Sequence, residues 1–181
     1  KFFHGNTDDL IIAKKSVDIP ILRKDFILHE TQIVQSKLLG ADCILLIVAC
    51  LSETRFSELL NISKELDLEV LVEVHDRKEL DIALKLDSKI IGINNRNLKT
   101  FDVSIKTSLD LADLIQDDSV TVVSESGIKD IETIKILNEK NIKSFLIGES
   151  LITNKKPGSL LDSLVGWYEQ NIGHKTYSFK S

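Results

Sequence analysis

The stretch Val70-Leu71-Val72-Glu73-Val74-His75-Asp76 places one carboxylate inside an apolar run that has the length of a buried strand. Apolar runs without polar alternation are typical of parallel sheets, whose strands are buried on both faces. In parallel α/β enzymes, polar residues at the carboxyl ends of such strands line the active site. The stretch therefore predicts a parallel α/β enzyme, and Glu73 is its first candidate for a catalytic residue.

Six apolar runs of this kind recur along the chain, and segments with helical spacing separate them. The runs cover residues 19–22, 42–49, 69–74, 89–93, 120–123 and 144–147. Asp76 precedes one helical segment and Glu79 follows three residues later, which is the capping-box pattern. Pro157 suits the first turn of the last helix. Strands and helices that alternate at roughly 20 to 30 residues per unit indicate the βα repeat of a parallel sheet.

Two architectures fit such a repeat, a doubly wound open sheet and a (β/α)8 barrel. A Rossmann sheet would carry Gly-x-Gly-x-x-Gly after a strand, and the sequence has no such stretch. A barrel predicts functional residues at the carboxyl ends of several strands, with a phosphate site after the last two. Polar residues do occur at the end of five of the runs or shortly after it: Lys24, Glu73, Asn94-Asn95, Glu125-Ser126-Gly127 and Gly148-Glu149-Ser150. We therefore predict an α/β fold of the (β/α)8 TIM-barrel class, with about six of the eight βα units in this chain.

The composition is that of one soluble globular domain, with 181 residues, 43% hydrophobic and 28% charged. A net charge of −5 with scattered lysines disfavours a nucleic-acid partner, because phosphate contacts need clustered Lys and Arg. No apolar run approaches the ~20 residues that span a bilayer. The start of the chain also lacks the apolar stretch of a signal peptide. We therefore expect no membrane partner and a cytoplasmic location.

The cysteines and histidines predict neither a disulfide nor a metal site. Cys43 and Cys50 belong to one short apolar run, so we expect buried, reduced thiols. The four histidines are dispersed and show no ligand spacing, so we expect no metal.

Lys24 and Glu73 are the candidate acid and base of the predicted site. A lysine is most often a surface residue, but one desolvated at a barrel mouth would have a lowered pKa and could deliver a proton. A buried Glu73 needs a partner, for which Lys24 is the candidate. Asn94 could bind a substrate or orient Glu73, whereas residues 95–97 could equally form a polar loop.

Two Gly/Ser turns between strand and helix are candidate phosphate sites. In Ser126-Gly127 and Gly148-Glu149-Ser150, backbone N–H groups and a helix N-terminus could hold a phosphate dianion. Each could also be an ordinary tight βα turn. Their position in the last two units, where barrels bind phosphate, favours the functional interpretation.

The motifs that carry these residues closely resemble those of indole-3-glycerol-phosphate synthase from Lys1 to about Val165. They are Asp18-Ile19-Pro20-Ile21-Leu22-Arg23-Lys24-Asp25-Phe26, Leu45-Leu46-Ile47-Val48-Ala49, Leu71-Val72-Glu73-Val74-His75-Asp76, Gly92-Ile93-Asn94-Asn95-Arg96-Asn97-Leu98-Lys99-Thr100-Phe101, Ser124-Glu125-Ser126-Gly127-Ile128 and Gly148-Glu149-Ser150-Leu151. The resemblance implies a (β/α)8 lyase of tryptophan biosynthesis. Such an enzyme closes the indole ring of 1-(2-carboxyphenylamino)-1-deoxyribulose 5-phosphate with loss of carbon dioxide and water. It implies neither a metal nor an organic cofactor.

The resemblance also implies a role for each candidate residue. Lys24 matches the general acid that acts on the substrate carbonyl, Glu73 the general base of the later dehydration, and Asn94 a residue that positions the reacting groups. Arg96 lies where the family approaches the anthranilate part of the substrate. The remaining matches are Glu125 and Ser126 in the site wall, and Ser126, Gly127, Gly148 and Ser150 at the phosphate.

The sequence departs from the family at its beginning. Residues 1–6 match the stretch after the family's second strand, so we expect a partial barrel domain over residues 1–165 without the first two strands, then a C-terminal tail over residues 166–181. Open barrel edges would invite pairing with the missing N-terminal segment or with another copy of the chain. We expect little or no activity from the chain alone.

Two other classes of protein stay open at this point. One is another phosphate-binding barrel enzyme, of the phosphoribosylanthranilate isomerase or tryptophan synthase α-subunit type. The other is a non-catalytic barrel remnant that binds phosphate or assembles with a partner.

Overall fold

Six βα units make up the computed structural model, which describes residues 5–173. The described residues fall into two compact units, one up to Val72 and one from Glu73, so the boundary lies inside the third strand. The strands follow one another in chain order in a single sheet, β1 to β6. No helix within residues 5–173 is long and apolar enough to cross a membrane.

The first unit contains the elements up to the start of the third strand. They are α1 (Thr7–Ser16), β1 (Leu22–Arg23), α2 (Glu30–Leu38), β2 (Cys43–Ile47), a 3-10 turn (Val48–Cys50), α3 (Glu53–Glu65) and β3 (Glu69–Val74), which continues into the second unit. Ser52 begins α3, since its side chain accepts a hydrogen bond from the backbone N–H of Arg55 (3.2 Å). Phe56 and Leu59 of this helix are fully buried, as is Ile44 of β2. The unit thus buries one face of α3 and the middle of β2.

The second unit contains the remaining elements. They are α4 (Arg77–Lys85), β4 (Ile90–Asn94), α5 (Lys106–Ala112), β5 (Thr121–Glu125), α6 (Ile131–Glu139), β6 (Ser144–Leu146), α7 (Glu149–Ile152) and α8 (Pro157–Asn171). Strands β4 and β5 are parallel, as are β5 and β6. Their register places Asn94 beside Glu125 and Glu125 beside Leu146. The carboxyl ends of these strands therefore lie at one edge of the sheet.

The apolar core of the second unit lies between its last helices and its last strands. Five buried side chains form it: Ile128, Ile134, Leu137, Ile142 and Leu164. Trp167 of α8 packs against this cluster. The helix continues through Asn171, so the first part of the expected C-terminal tail is helical. Tyr177 and Phe179, in the rest of that tail, lie outside the described residues.

All six predicted strands are present, with some different ends. The first predicted strand, 19–22, is observed as the short β1, and just before it the Asp42 carboxylate accepts a hydrogen bond from the backbone N–H of Ile21 (2.7 Å). The second predicted strand, 42–49, ends at Ile47 and continues as the 3-10 turn. This turn leaves Cys50 exposed, so the prediction of two buried thiols is wrong for Cys50. Cys43 is half-buried, and its burial raises the pKa of its thiol to about 11.

The predicted first residues of α8 and α4 are confirmed, but the capping box predicted for α4 is incomplete. Pro157 does occupy the first turn of α8. Asp76 does begin α4, since its side chain accepts a hydrogen bond from the backbone N–H of Glu79 (3.0 Å). The Glu79 carboxylate, however, accepts from the backbone N–H of His75 (2.8 Å) and so does not complete the predicted capping box. This displaced contact shapes the candidate active site.

Candidate active site

Asn94 joins two of the predicted site residues at the carboxyl end of β4. Its Nδ2 donates a hydrogen bond to Oε1 of Glu73 (3.0 Å), and its Oδ1 accepts one from the backbone N–H of Arg96 (3.0 Å). One amide group therefore fixes both the Glu73 carboxylate and the start of the loop that carries Arg96. The structure brings Glu73, Asn94 and Arg96 together.

Glu73 is buried at the end of β3, with only 2% of the residue exposed. Burial of a carboxylate is costly unless hydrogen bonds or opposite charges compensate it. Asn94 supplies one such bond, and the imidazole of His75 lies close by, with Nε2 3.2 Å from Oε1 of Glu73. The angle of this approach is outside hydrogen-bond geometry, so it is a charge contact rather than an aligned hydrogen bond.

His75 lies between two carboxylates. Its Nδ1 is 3.0 Å from Oε2 of Glu79, while its Nε2 faces Glu73. Burial alone lowers the pKa of His75, but the contacts with Glu73 and Glu79 outweigh burial and raise the pKa to about 9. The side chain is therefore an imidazolium at neutral pH. The sequence analysis considered the histidines only as metal ligands and so did not identify His75. The Glu-x-His-x-x-x-Glu pattern of residues 73–79 could have indicated a histidine between two carboxylates.

Asn95 is a second residue that sequence reasoning left as part of a polar loop. It is only 2% exposed, and its Nδ2 donates to Oγ of Ser124 and to the carbonyl of Ser126 (3.0 Å each). Its Oδ1 accepts a hydrogen bond from the backbone N–H of Ser108 (3.0 Å) in the first turn of α5. Because Ile105 begins that helix without a side-chain cap, Asn95 caps it from a distance in sequence. One buried amide thus connects the ends of β4 and β5 with α5.

The turn after β5 has an uncommon backbone conformation. Glu125, which is 1% exposed, ends the strand, and then Ser126 (φ 64°) and Gly127 (φ 78°) both lie in the left-handed region. A Cβ added to Gly127 would lie 2.6 Å from Cγ1 of Val103, so only glycine fits there. The Ser126-Gly127 turn therefore has a backbone conformation that requires glycine at position 127.

The two predicted phosphate turns are connected to each other. The hydroxyl of Ser150, after β6, donates a hydrogen bond to the carbonyl of Ile128, after β5. A Cβ added to Gly148 would meet nothing within 4 Å, so the space beside this residue is open. The structure thus brings together Ser150 and the segment that follows Gly127.

Arg96 also reaches the turn after β6. Its guanidinium forms an ion pair with the carboxylate of Glu149, while its backbone pairs with Val103 in an antiparallel bridge. The loop of residues 95–104 is therefore anchored at both ends near the carboxyl edge of the sheet. The side chain of Glu149 is 69% exposed, so the carboxylate that pairs with Arg96 lies at the surface of this turn.

Lys24 belongs to the first unit, where it directly follows β1 and is exposed. At this strand end the Arg23 guanidinium donates to Oγ of Ser36 (3.1 Å) and pairs with Asp25 (3.1 Å). Its location at a strand end is as predicted. The pairing of Lys24 with Glu73 stays a prediction.

No three His, Cys, Asp or Glu side chains within residues 5–173 are grouped so as to hold a metal ion.

Solved structures with the same fold include a decarboxylase and a tryptophan synthase α-subunit. A 3-keto-L-gulonate-6-phosphate decarboxylase from Vibrio cholerae superposes with a TM-score of 0.70 at 13% identity, over 93% of this chain and 81% of that chain. A tryptophan synthase α-subunit from Pyrococcus furiosus gives a TM-score of 0.68 at 15% identity, over 88% and 72%. At such identities the likeness concerns the fold alone, and it confirms the predicted partial (β/α)8 barrel class.

Curated relatives agree on a single family. A protein of Delftia acidovorans named indole-3-glycerol phosphate synthase is 47% identical over 164 residues, which are 91% of this chain and 61% of that protein. One of Lachnoclostridium phytofermentans with the same name is 50% identical over 157 residues, which are 86% of this chain and 58% of that protein. The chain thus spans about three fifths of the length of these relatives. A protein-family model described as indole-3-glycerol phosphate synthase matches residues 1–164. The chain therefore belongs to the indole-3-glycerol phosphate synthase family.

Proposed function

We propose that the protein containing this chain is an indole-3-glycerol-phosphate synthase. It is a carbon–carbon lyase that converts 1-(2-carboxyphenylamino)-1-deoxyribulose 5-phosphate to indole-3-glycerol phosphate with loss of carbon dioxide and water. The observation that supports this most is the buried Glu73 carboxylate, which Asn94 orients at the carboxyl edge of the sheet in a chain of this family.

Lys24 and Glu73 divide the proton transfers in this proposal. Ring closure forms a bond between the ring carbon that bears the carboxylate and the ketone carbon, and Lys24 protonates the ketone oxygen as it becomes a hydroxyl. Loss of carbon dioxide then restores the aromatic ring. In the dehydration the hydroxyl takes up a proton from solvent water and leaves as water, while Glu73 removes a proton from the neighbouring carbon. Asn94 holds the Glu73 carboxylate in place for that step.

The two turns after β5 and β6 bind the phosphate of the substrate in this proposal. The left-handed turn at Ser126 and Gly127 and the open space beside Gly148 support this role, as does the contact of Ser150 with Ile128. Glu125 forms part of the site wall.

Arg96 binds the carboxylate of the anthranilate moiety. The ion pair of Arg96 with Glu149 supports this role, because a carboxylate already binds the guanidinium at that position. Exchange of Glu149 for the substrate carboxylate would keep the arginine paired until that carboxylate is lost as carbon dioxide.

Within the described residues, β1 and β6 are the outer strands of the sheet, and each pairs with one neighbour only. We propose that a segment corresponding to the rest of the relatives' length, or a second copy of the chain, pairs with these edges. The chain alone then has little or no activity. A cytoplasmic location belongs to the same proposal.

The test compares the chain alone with the chain fused to the amino-terminal part of the Delftia acidovorans relative, which we call the completed protein. Formation of indole-3-glycerol phosphate is followed by its fluorescence. We expect turnover by the completed protein and loss of at least about a hundredfold in its Glu73→Gln variant, since general base catalysis contributes about 10²- to 10⁴-fold.

The control is Glu58→Gln. Glu58 is an exposed carboxylate on α3 that forms an ion pair with Arg55 in the first unit. We expect this variant to keep its activity. Full activity of Glu73→Gln in the completed protein would contradict the proposed role of Glu73, and near-normal turnover by the chain alone would contradict its expected inactivity.

A further inference from the structure

The carboxylate of Glu73 is in contact with a partly buried imidazole, that of His75, which the family resemblance leaves without a role. Oε1 of Glu73 receives the Asn94 amide at 3.0 Å and faces Nε2 of His75 at 3.2 Å. The same oxygen atom thus faces a neutral donor from β4 and an imidazole at the end of its own strand.

Glu79 holds this imidazole from the opposite side. Its Oε2 lies 3.0 Å from Nδ1 of His75 and accepts the backbone N–H of His75 at 2.8 Å. Glu79 lies in the first turn of α4, which Asp76 begins, so the helix start determines where the ring lies. Two contacts from one carboxylate oxygen fix both the backbone and the ring.

We propose that His75 is a positioning residue for Glu73: oriented by Glu79, it holds the Glu73 carboxylate as an anion in one rotamer beside Asn94. This inference rests on the proposed function, in which Glu73 is the general base. A base must be ionised before it can accept a proton, and burial disfavours the ionised form of a carboxylate such as Glu73. The paired imidazolium offsets that burial.

The charged groups around His75 come from three elements. Glu73 belongs to β3 and Glu79 to α4, and both contact the ring. Beside them is a hollow of about 400 Å³ whose lining includes His75 together with Asp76 and Arg77 of the α4 start, and Lys106 and Asp110 of the α5 start. Two of these four residues are acidic and two are basic, so their charges largely cancel. Glu73 and Glu79 therefore determine the protonation of the imidazole.

The first test is an NMR titration of the chain itself, labelled with ¹⁵N in histidine and ¹³C in the glutamate carboxyl groups. We expect the His75 ring to remain doubly protonated at pH 8 and Glu79→Gln to lower its titration midpoint by at least one pH unit. We expect His75→Gln to raise the midpoint of the Glu73 carboxyl by a similar amount. Glu58→Gln, on the exposed face of α3, is the matched control and should move neither.

Two results would overturn the inference. One is a His75 ring that is neutral at pH 7 in the unmodified chain. The other is a Glu73 midpoint that is the same with and without His75. Neither readout depends on activity, so the inference can fail while the proposed function stands.

The second test measures kinetics in the completed protein. We expect His75→Gln to lower kcat about tenfold with little change in KM, because the variant can still donate a hydrogen bond but carries no charge. The acid limb of its kcat profile should shift to higher pH, a change that loss of packing would not produce. An unshifted acid limb would contradict the positioning role, whereas absence of activity in the unmodified completed protein would contradict only the proposed function.

Discussion

At the scale of single residues, His75 connects the chemistry of the site with the stability of the fold. Its pKa is raised from 6.5 to about 9 in the folded protein. The imidazolium therefore stabilises the folded state fully below about pH 6.5, and this contribution disappears as the pH rises through about 9. With a side chain only 12% exposed, the contribution is on the order of 2 kcal/mol.

We therefore expect His75→Gln to lower the free energy of unfolding by more at pH 6 than at pH 9.5, with a difference on the order of 2 kcal/mol. Urea unfolding at the two pH values measures this difference. Equal destabilisation by His75→Gln at both pH values would show that the ring contributes packing and not charge.

Asn95 yields a second prediction at the same scale. Asn95→Ala removes three hydrogen bonds and leaves buried groups of Ser108 and Ser124, and the part-buried carbonyl of Ser126, without these bonds. At about 1 kcal/mol for each bond, we expect a loss of about 3 kcal/mol in the free energy of unfolding. Asn97→Ala is the control, because Asn97 is exposed and its side chain only caps the turn at residues 99 and 100. It should cost less than about 1 kcal/mol, and a similar cost for both variants would contradict the bridging role of Asn95.

At the scale of elements, the loop of residues 95–104 packs onto the turn after β5 through Val103 and Gly127. Gly127→Ala should destabilise the protein by about 2 kcal/mol or more, because it combines a positive φ with a Cβ 2.6 Å from Cγ1 of Val103. Adding Val103→Ala should recover the steric part of this cost and leave the backbone part. Gly158→Ala is the control, since it lies in α8 with nothing within 4 Å and should be neutral or slightly stabilising. Thermal unfolding of Gly127→Ala, Val103→Ala, the double variant and Gly158→Ala tests the packing, and a Gly127→Ala cost unchanged by Val103→Ala would contradict it.

The same elements show how far sequence reasoning reaches. Periodicity predicted β3 with both of its ends, and the rule that polar residues follow parallel strands identified Glu73, Asn94 and Glu125, because both signals are local in sequence. The contacts of Asn95 were not predictable in this way. They join residues 13 to 31 positions apart, and no period along the chain encodes which strand end a buried amide will meet.

At the scale of the whole molecule, the outer strands of the sheet lead to a prediction about assembly. The chain covers 61% of the Delftia acidovorans relative, and within the described residues β1 and β6 each have one neighbour. Unpaired strand edges present rows of free N–H and C=O groups that bind another strand.

We therefore expect the chain alone to self-associate in a concentration-dependent way, and the amino-terminal part of that relative, added as a separate polypeptide, to suppress this association and raise the thermal midpoint by several degrees. For a protein of this size, about 1 kcal/mol corresponds to roughly 2 to 4 °C. Analytical ultracentrifugation and calorimetry measure the two effects. A scrambled version of the added polypeptide, with the same composition, controls for nonspecific hydrophobic binding. A chain that stays monomeric at about 100 µM, with no binding of the added polypeptide, would contradict the pairing proposal, because mass action at that concentration reveals even a weak edge-to-edge contact.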